Sequence, residues 1–526
     1  GLRPLAVAVG NRTLARILAY RARATPDKAF VIFDDLDGGI RRLSYRDMDA
    51  AASRAANVLL GLGLKPGDRI NLHLANCLEF LFLWFGAARA GVVIMPTNTA
   101  ASVDELAYLL THSGSRLIFT QPEHAGTANA AREKCRCVED TIVCAGEDRQ
   151  GFAALMAKAP ESAPGGQPQS SDSVAILYTS GTTAKPKGVV VTNANYVYAG
   201  ETVAKAIRLG PDDRHLVMLP LFHGNAQYYS TMSALVTGAS MVLTPRFSAS
   251  RYFDLAIAHR CTVGSLFAAP MRMVLAQPGN PAHRNNRLRV VIFAQSLTPA
   301  QLDEWQERFG APLLQLWGMT ETMGPPLMNP IDYERNNMSV GFPVMGYEVM
   351  LADPDGRPVD PGETGQIIVR GEPGVTLMKE YYRNPGATAE TIRNGWLWSG
   401  DNACQDAAGY FHFIDRAKDM IKRAGENVAA SEVEAVVLQH PDVFDCAVIG
   451  VPDPMRDESI VAVVTLKPDA VRDAQAIIDW CRSRLATFRV PERVEFRDAL
   501  PRTSVGKIQK HVLRRELGSG DREKAR

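Results

Sequence analysis

The segment YTSGTTAKPKG occupies residues 178–188 and combines hydroxyl side chains, glycines and two lysines in one short stretch. Small residues let backbone N–H groups approach phosphate oxygens, while hydroxyls donate hydrogen bonds and lysines supply positive charge. The composition therefore predicts a loop that holds polyphosphate. It is not a Walker A loop, because Pro186 stands where that motif requires its second glycine. The apolar runs 173–177 and 189–191 predict flanking strands, so a plain hairpin connection is an alternative.

The overall composition indicates a globular protein of several domains. The chain has 526 residues, of which 46% are hydrophobic and 22% charged. Its formal net charge of +1 gives no field that favours nucleic acid or an anionic membrane. No apolar run reaches the roughly 18 residues of a membrane span, and residues 80–95 predict a buried helix followed by a strand. The eight cysteines are scattered, and only Cys135 and Cys137 lie close together, which favours a reduced, cytoplasmic protein.

Hydrophobic patterns change along the chain. Up to about residue 160, helical patterns alternate with short apolar runs, which is typical of parallel α/β sheets. Residues 346–371 alternate apolar and polar positions between turn signals and predict antiparallel strands. Beyond residue 418 the pattern predicts a compact α+β domain. Its predicted helices are 431–439 and 473–485, and its predicted strands are 445–451 and 459–466. The charged end, residues 518–526, is expected to be disordered.

Three further polar motifs lie far apart in the sequence, each next to apolar runs. They are WGMTE (317–321), WSGD (398–401) and TSVGK (503–507). Taken singly, Glu321 or Asp401 is an ordinary surface or turn carboxylate, and Lys507 is an ordinary solvated lysine. Their joint occurrence, in this order after the polyphosphate loop, favours one shared function.

Together these motifs resemble those of the adenylate-forming superfamily, which includes acyl-CoA synthetases, aryl-CoA ligases, firefly luciferase and peptide-synthetase adenylation domains. The resemblance covers about residues 13–515 and includes DRAKDMIKRAG (415–425) and PRTSVGKIQK (501–510). It implies an AMP-forming carboxylic acid:CoA ligase that uses ATP, Mg²⁺ and CoA. It also implies a large N-terminal body of α/β subdomains with a β-rich subdomain, residues 1–415. A small mobile α+β C-terminal domain, residues 416–526, would follow.

The resemblance also assigns roles to individual residues. The ATP phosphates are assigned to Thr179, Ser180, Gly181, Thr182, Thr183 and Lys187. Mg²⁺ is assigned to Glu321 and Thr182, with Thr320 beside the α-phosphate. The ribose is assigned to Asp401 and Arg416, and the adenine to Ala294, Gln295, Ser296 and Trp317. Gly318 and Met319 are also assigned to cofactor binding. A carboxylate acceptor and a rigid planar donor suit ribose hydroxyls.

The C-terminal segments are assigned to the two steps of the reaction. Lys507 would bridge the attacking carboxylate and the α-phosphate in the first step. Rotation about the hinge residue Lys418 would then bring Lys422 and Gly425 to the site for thioester formation. A glycine suits a narrow pantetheine tunnel, although Gly425 as a simple turn glycine is an alternative.

The stretch LPLFHGNAQYY (219–229) carries the clues to the acid. Relatives that activate amino acids have an aspartate after the phenylalanine, whereas this chain has His223, so an α-amino acid is disfavoured. Asn225, Gln227 and Tyr228 predict a polar pocket for a small or functionalised acid. Met323 is expected to line it, with ordinary core packing as the alternative.

Four positions depart from the superfamily pattern, namely Ala184, Asn193, Trp317 and Gln366. None of them removes a predicted phosphate, metal or ribose ligand. The motifs specify the adenylating half of the reaction better than the acceptor. A carrier-protein thiol, an amine or another small nucleophile is therefore an alternative to CoA, and a non-catalytic nucleotide-binding protein is a second one. The chain is expected to be a monomer or homodimer.

Overall fold

The computed structural model describes residues 9–144, 151–166, 168–179, 186–416, 419–423, 426–453, 457–502 and 508–523. In chain order the strands are β1 (Ala29–Asp34), β2 (Ile40–Ser44), β3 (Arg69–His73), β4 (Val93–Pro96), β5 (Leu117–Thr120), β6 (Asp140–Val143), β7 (Ser173–Thr179), β8 (Lys187–Thr192), β9 (Arg214–Val217), β10 (Ser240–Leu243), β11 (Val263–Phe267), β12 (Val290–Ala294), β13 (Leu313–Met319), β14 (Gly324–Met328), β15 (Phe342–Pro343), β16 (Glu348–Ala352), β17 (Thr364–Arg370), β18 (Ile392–Arg393), β19 (Trp396–Gln405), β20 (Phe411–Arg416), β21 (Met420–Arg423), β22 (Glu426–Ala429), β23 (Val443–Asp453), β24 (Asp457–Leu466) and β25 (Arg493–Phe496).

The α-helices are α1 (Leu14–Ala24), α2 (Tyr45–Gly61), α3 (Leu78–Ala90), α4 (Val103–Ser113), α5 (Ala125–Glu133), α6 (Phe152–Lys158), α7 (Asn193–Ala206), α8 (Ser233–Thr237), α9 (Tyr252–Ala258), α10 (Ala268–Leu275), α11 (Pro299–Phe309), α12 (Pro385–Thr391), α13 (Ala430–Val437), α14 (Ala474–Arg482) and α15 (Lys510–Glu523). A π-helix covers Asn225–Met232. No helix in the described ranges is both long and apolar enough to cross a membrane.

Two α/β sheets build the large body. The six-stranded sheet has the order β6-β5-β3-β4-β7-β8 and is parallel except for β8. The nine-stranded sheet has the order β15-β14-β13-β12-β11-β9-β10-β1-β2, with a parallel centre from β13 to β1. These sheets confirm the predicted α/β class. Strands β7 and β8 pair antiparallel as a hairpin. The predicted polyphosphate segment therefore joins the two strands of a hairpin, which is the topology of the alternative interpretation.

Local sequence sets the ends of the helices. The hydroxyl of Ser44 accepts a hydrogen bond from the Asp47 N–H, and the Asp47 carboxylate accepts one from the Ser44 N–H, which starts α2 with a capping box. Gly91, with φ of 73°, ends α3 in the left-handed region that glycine tolerates. The helix α3 is buried along nearly its whole length and β4 follows it, which confirms the prediction for residues 80–95.

The β-rich part and the C-terminal part are smaller. The strands β16, β17, β19, β18 and β20 form an antiparallel sheet, as residues 346–371 predicted for its first part. The last sheet, β22-β21-β24-β23 with β25, packs with α13 and α14 around a separate core. A large body with a smaller C-terminal domain is thus confirmed, while the boundary at residue 415 stays a prediction.

One expectation for the C-terminal end is wrong. Residues 518–523 were expected to be disordered, but α15 continues to Glu523. The helix is anchored by Leu513, which is fully buried against Ile449 and Val463 of the C-terminal sheet. Burial of an apolar side chain stabilises a helix whose charged composition alone does not.

Two of the sequence departures have structural roles. Asn193 is the first residue of α7. Its buried amide donates to the Gln169 carbonyl oxygen at 3.1 Å and accepts from the Leu14 N–H at 3.1 Å, which ties α1 to α7. Gln366 lies on β17 between Ala352 and Asn402 of the neighbouring strands. Ala184 lies outside the described residues.

Candidate active site

The base of the predicted polyphosphate loop is formed by the facing ends of β7 and β8. Thr179 is the last residue of β7 and pairs directly with Lys187, the first residue of β8. The Thr179 hydroxyl donates to the Lys187 carbonyl oxygen at 3.5 Å. The other predicted phosphate ligands, Ser180, Gly181, Thr182 and Thr183, lie outside the described residues. Because β7 is preceded by parallel strands, the loop begins at the carboxyl edge of the sheet, where α/β folds commonly bind ligands.

Glu321 lies in a short 3₁₀ turn, Thr320–Thr322, directly after β13. Its side chain is buried, with 5% of the residue exposed, and Oε1 accepts a hydrogen bond from the Tyr381 hydroxyl at 2.8 Å. Thr320 is half-buried beside it. A carboxylate at this depth suits Mg²⁺, which proteins often bind through one or two carboxylates and substrate phosphates. No group of three or more His, Cys, Asp or Glu side chains that could hold a metal ion occurs in the described parts of the chain.

A short segment, residues 378–382, links Glu321 to β8 at the end of the polyphosphate motif. The Met378 N–H donates to the Glu321 carbonyl oxygen at 2.9 Å. The Tyr382 N–H donates to the Gly188 carbonyl oxygen at 2.7 Å, and Tyr381 forms an antiparallel bridge with Val189 of β8. Two motifs that are more than 100 residues apart therefore share one hydrogen-bonded support. Sequence reasoning missed this segment, because MKEYY (378–382) has no periodicity that indicates a role at the site.

Tyr381 stands at the centre of this arrangement. Its hydroxyl faces Glu321, and the Lys187 ammonium lies over its ring, 4.8 Å from the ring centroid. Burial, with a further contribution from the Glu321 charge, raises the pKa of Tyr381. The phenol therefore stays protonated at neutral pH and acts as the donor to Glu321.

The predicted ribose and adenine residues come together between two sheets. The indole Nε1 of Trp317, on β13, donates to Asp401 Oδ2 at 2.8 Å. Asp401, on β19, is the direct cross-strand partner of Arg416 on β20, whose side chain lies outside the described part. Ala294 ends β12 opposite Leu316, and so lies one strand away from Trp317. Aromatic, carboxylate and backbone groups from β12, β13 and β19 thus lie near one another.

The backbone around this set is unusual at several points. Gln295 has a φ of 70° and, like Ser296, is exposed after the end of β12. A Cβ atom on Gly318 would lie 2.7 Å from the Gly324 carbonyl oxygen, so only glycine fits there. The Met319 N–H donates to the Thr322 hydroxyl at 3.1 Å, which fixes the start of the Glu321 turn. Strained positions of this kind cluster at functional sites.

The predicted acid pocket is built on the π-helix Asn225–Met232, which sequence reasoning did not predict. Asn225 accepts from the Ser265 hydroxyl at 2.8 Å, and the Asn225 N–H donates to Nδ1 of the half-buried His223 at 3.2 Å. The π-helix is wound more widely than an α-helix and is frequent at functional sites.

Gln227 and Tyr228, also predicted to bind the acid, differ in the hydrogen-bonding capacity that is left for a ligand. Gln227 is fully buried; its amide accepts from the Tyr196 hydroxyl and donates to the Leu221 carbonyl oxygen at 2.6 Å. Tyr228 is buried as well, but its hydroxyl has no hydrogen-bond partner among the described residues. Met323 is completely buried in the core, with a φ of 58°. Tyr228 thus has unused hydrogen-bonding capacity, whereas the Gln227 amide is used by the fold.

The predicted residues of the C-terminal domain are only partly described. Lys422 is exposed on β21, and its N–H donates to Glu458 Oε2 at 2.7 Å. Lys418, Gly425 and Lys507 lie outside the described residues. The roles of these four residues stay predictions.

Comparisons with known proteins agree with this arrangement. The model of the AMP-binding enzyme family matches residues 18–382, and that of the AMP-binding enzyme C-terminal domain matches residues 432–507. The chain is 36% identical over 521 residues to a crotonobetaine/carnitine–CoA ligase of Proteus mirabilis, covering 96% of this chain and 99% of the relative. It is 35% identical over 514 residues to the ligase of the same name from Salmonella typhimurium, with the same coverage.

Solved structures of CoA ligases share the fold. An anthranilate CoA ligase in complex with anthranoyl-AMP superposes with a TM-score of 0.88 at 27% identity, covering 96% of this chain and 97% of that one. A benzoate CoA ligase from Burkholderia xenovorans gives a TM-score of 0.86 at 28% identity, with 96% and 100% coverage.

The fold and the family matches define an ATP-dependent, AMP-forming ligase. The chain belongs to the AMP-binding enzyme family. These matches confirm the prediction of an acid:CoA ligase that uses ATP, CoA and a small-molecule acid as substrates. Mg²⁺, the oligomeric state, a carrier protein as partner and the cytoplasmic location stay predictions.

Proposed function

We propose that the protein activates a small, functionalised carboxylic acid as an acyl-adenylate and passes the acyl group to CoA, with the residue roles given below. The observation that carries this proposal is the support of Glu321 and the polyphosphate loop by one segment, residues 378–382. That arrangement suits chemistry at a nucleoside triphosphate, because it brings a carboxylate that can bind a metal ion close to the predicted phosphate ligand Lys187.

In the first step an oxygen of the acid forms a bond to the α-phosphorus, and the bond from that phosphorus to pyrophosphate breaks. Two anions must approach each other, so oriented positive groups and donors lower the barrier, at roughly 3 kcal/mol for a single donor. Lys507 would serve the carboxylate and the α-phosphate, with Thr320 beside them. Glu321 and Thr182 would hold Mg²⁺, which supplies neutralisation of phosphate charge when bound.

The nucleoside would be held by groups on both sides of the cleft. Trp317 would stack on the adenine, opposite the segment that Ala294 begins. Asp401 and Arg416 would hold the ribose hydroxyls, and their cross-strand pairing supports this role. In the second step the CoA thiolate attacks the acyl carbon and AMP leaves. Rotation about Lys418 would bring Lys422 and Gly425 to the site for this step.

The acid is proposed to belong to the class of crotonobetaine and carnitine. Relatives of that name are similar over nearly their whole length. Aromatic faces attract quaternary ammonium groups, and the π-helix contains two adjacent buried tyrosines, Tyr228 and Tyr229. The Tyr228 hydroxyl and Asn225 would add hydrogen bonds to a polar substituent.

A pyrophosphate-release screen, run with and without CoA, tests the proposal. The acids would include crotonobetaine, carnitine, benzoate, anthranilate and an α-amino acid. We expect CoA-dependent turnover and acyl-CoA formation with the betaine acids, and little with the amino acid. Pyrophosphate release and acyl-AMP that CoA never discharges would instead favour another acceptor. Turnover with benzoate alone would contradict the proposed substrate class.

A further inference from the structure

Tyr381 occupies a position that links two predicted ATP contacts. Only 5% of the residue is exposed, and its hydroxyl donates to Glu321 Oε1 at 2.8 Å. The Lys187 ammonium lies over the same ring at 4.8 Å from its centroid. One aromatic side chain therefore contacts a predicted metal carboxylate through its hydroxyl and a predicted phosphate ligand through its face.

The backbone holds this tyrosine firmly. The Tyr381 N–H donates to the Thr388 hydroxyl at 3.0 Å, and the residue pairs with Val189 of β8 in an antiparallel bridge. The neighbouring Met378 N–H donates to the carbonyl oxygen of Glu321 itself. The hydroxyl consequently approaches Glu321 from a fixed point, and not from a flexible loop.

We propose that Tyr381 is a positioning residue for the metal–ATP complex, orienting the Glu321 carboxylate and holding Lys187 at the mouth of the polyphosphate loop. A donor on Oε1 restricts rotation of the carboxylate, and outer hydrogen bonds of this kind typically change metal affinity by about 10-fold to 100-fold. The inference rests on the proposed role of Glu321 in holding the metal.

The test compares Tyr381→Phe with Tyr382→Phe. The first variant keeps the ring and the Lys187 contact but loses the donor to Glu321. The control loses a hydroxyl that donates to the Ser113 carbonyl oxygen at 3.2 Å, and so bears on neither Glu321 nor Lys187. Binding is measured by calorimetry with Mn²⁺·ATP, and with ATP in EDTA, on full-length protein whose melting temperature has been checked.

We expect Tyr381→Phe to bind Mn²⁺·ATP about tenfold more weakly while its affinity for metal-free ATP is unchanged. Tyr382→Phe should bind Mn²⁺·ATP and metal-free ATP with the same affinities as the parent protein. Equal Mn²⁺·ATP affinity in Tyr381→Phe would overturn the inference, and so would an equal loss for both forms of ATP.

A second variant tests the premise that Glu321 holds the metal ion. Glu321→Gln leaves Tyr381 in place and removes the carboxylate charge. It should therefore weaken the binding of Mn²⁺·ATP and leave the affinity for metal-free ATP unchanged. A Glu321→Gln protein with normal Mn²⁺·ATP affinity would overturn the inference as well. Failure of the proposed function has a different signature, since the parent protein would then release no pyrophosphate with any acid.

Discussion

The indole N–H of Trp317 donates to the carboxylate of Asp401 at 2.8 Å, across 84 residues of sequence and between two different sheets. Trp317 is one of the four positions at which the sequence departs from the superfamily pattern. Its apolar face and its N–H can act separately, as is common for buried tryptophan.

Replacement of Trp317 by phenylalanine separates these two properties. Trp317→Phe keeps an aromatic face but leaves Asp401 without this donor, so we expect weaker selection of the ribose hydroxyls. The KM for ATP should rise, and the preference for ATP over 3′-deoxy-ATP should fall several-fold. Trp398→Phe is the control, because Trp398 lies under Arg393 and not beside Asp401. An unchanged nucleotide preference in Trp317→Phe would show that the hydrogen bond does not position Asp401.

A methyl group on Gly318 should disturb the site and the fold together. Its Cβ would lie 2.7 Å from the Gly324 carbonyl oxygen and 3.1 Å from Pro325 Cα, which are backbone atoms that cannot turn away. Overpacking of this kind costs about 1–3 kcal/mol. Gly318→Ala should therefore melt at a lower temperature and adenylate more slowly. Gly61→Ala, at the end of α2 with open space around it, should behave like the parent protein.

Two buried histidines should make the protein less stable in mild acid. Burial lowers the pKa of His73 and of His215 to about 4. Each has one ring nitrogen without a hydrogen-bond partner among the described residues. Unfolded histidine titrates near pH 6.5, so below that pH the unfolded chain binds more protons than the folded one. The stabilising effect of the neutral rings is therefore present above about pH 6.5 and is lost as the pH falls toward 4.

The free energy of unfolding should fall by about 2 kcal/mol for each histidine between neutral pH and about pH 5. Thermal unfolding of the parent protein at neutral and mildly acidic pH measures the total. His215→Phe cannot titrate at this position, so its melting temperature should fall less between the two conditions. An identical fall in parent and variant would mean that His215 does not carry this proton linkage.

Local patterns predicted the strands well where short apolar runs end at turn residues. The strands Ser173–Thr179 and Lys187–Thr192 contain the predicted runs 173–177 and 189–191, because burial on both faces leaves a continuous apolar signal. Contacts made across long sequence separations were not predictable in the same way. Tyr381 meets Glu321 across 60 residues, and no local pattern of either residue encodes that contact.

Two other differences have the same origin in tertiary packing. The π-helix Asn225–Met232 carries polar residues that indicated a pocket, but the Gln227 amide is used internally by Tyr196 and Leu221. The charged composition of α15 suggested disorder because the burial of Leu513 is visible only once the C-terminal sheet is formed. The packing thus determines how individual side chains are used, and local sequence patterns do not encode it.

Transfer of an oxygen isotope tests the central claim most directly. The acid is labelled with oxygen-18 in its carboxylate and turned over with ATP and CoA, and the AMP is analysed by mass spectrometry. Attack of the carboxylate on the α-phosphorus predicts AMP that carries one labelled oxygen, because that oxygen stays with phosphorus when the thiolate takes the acyl group. Unlabelled AMP, or label in inorganic phosphate with ADP as the nucleotide product, would contradict the acyl-adenylate route.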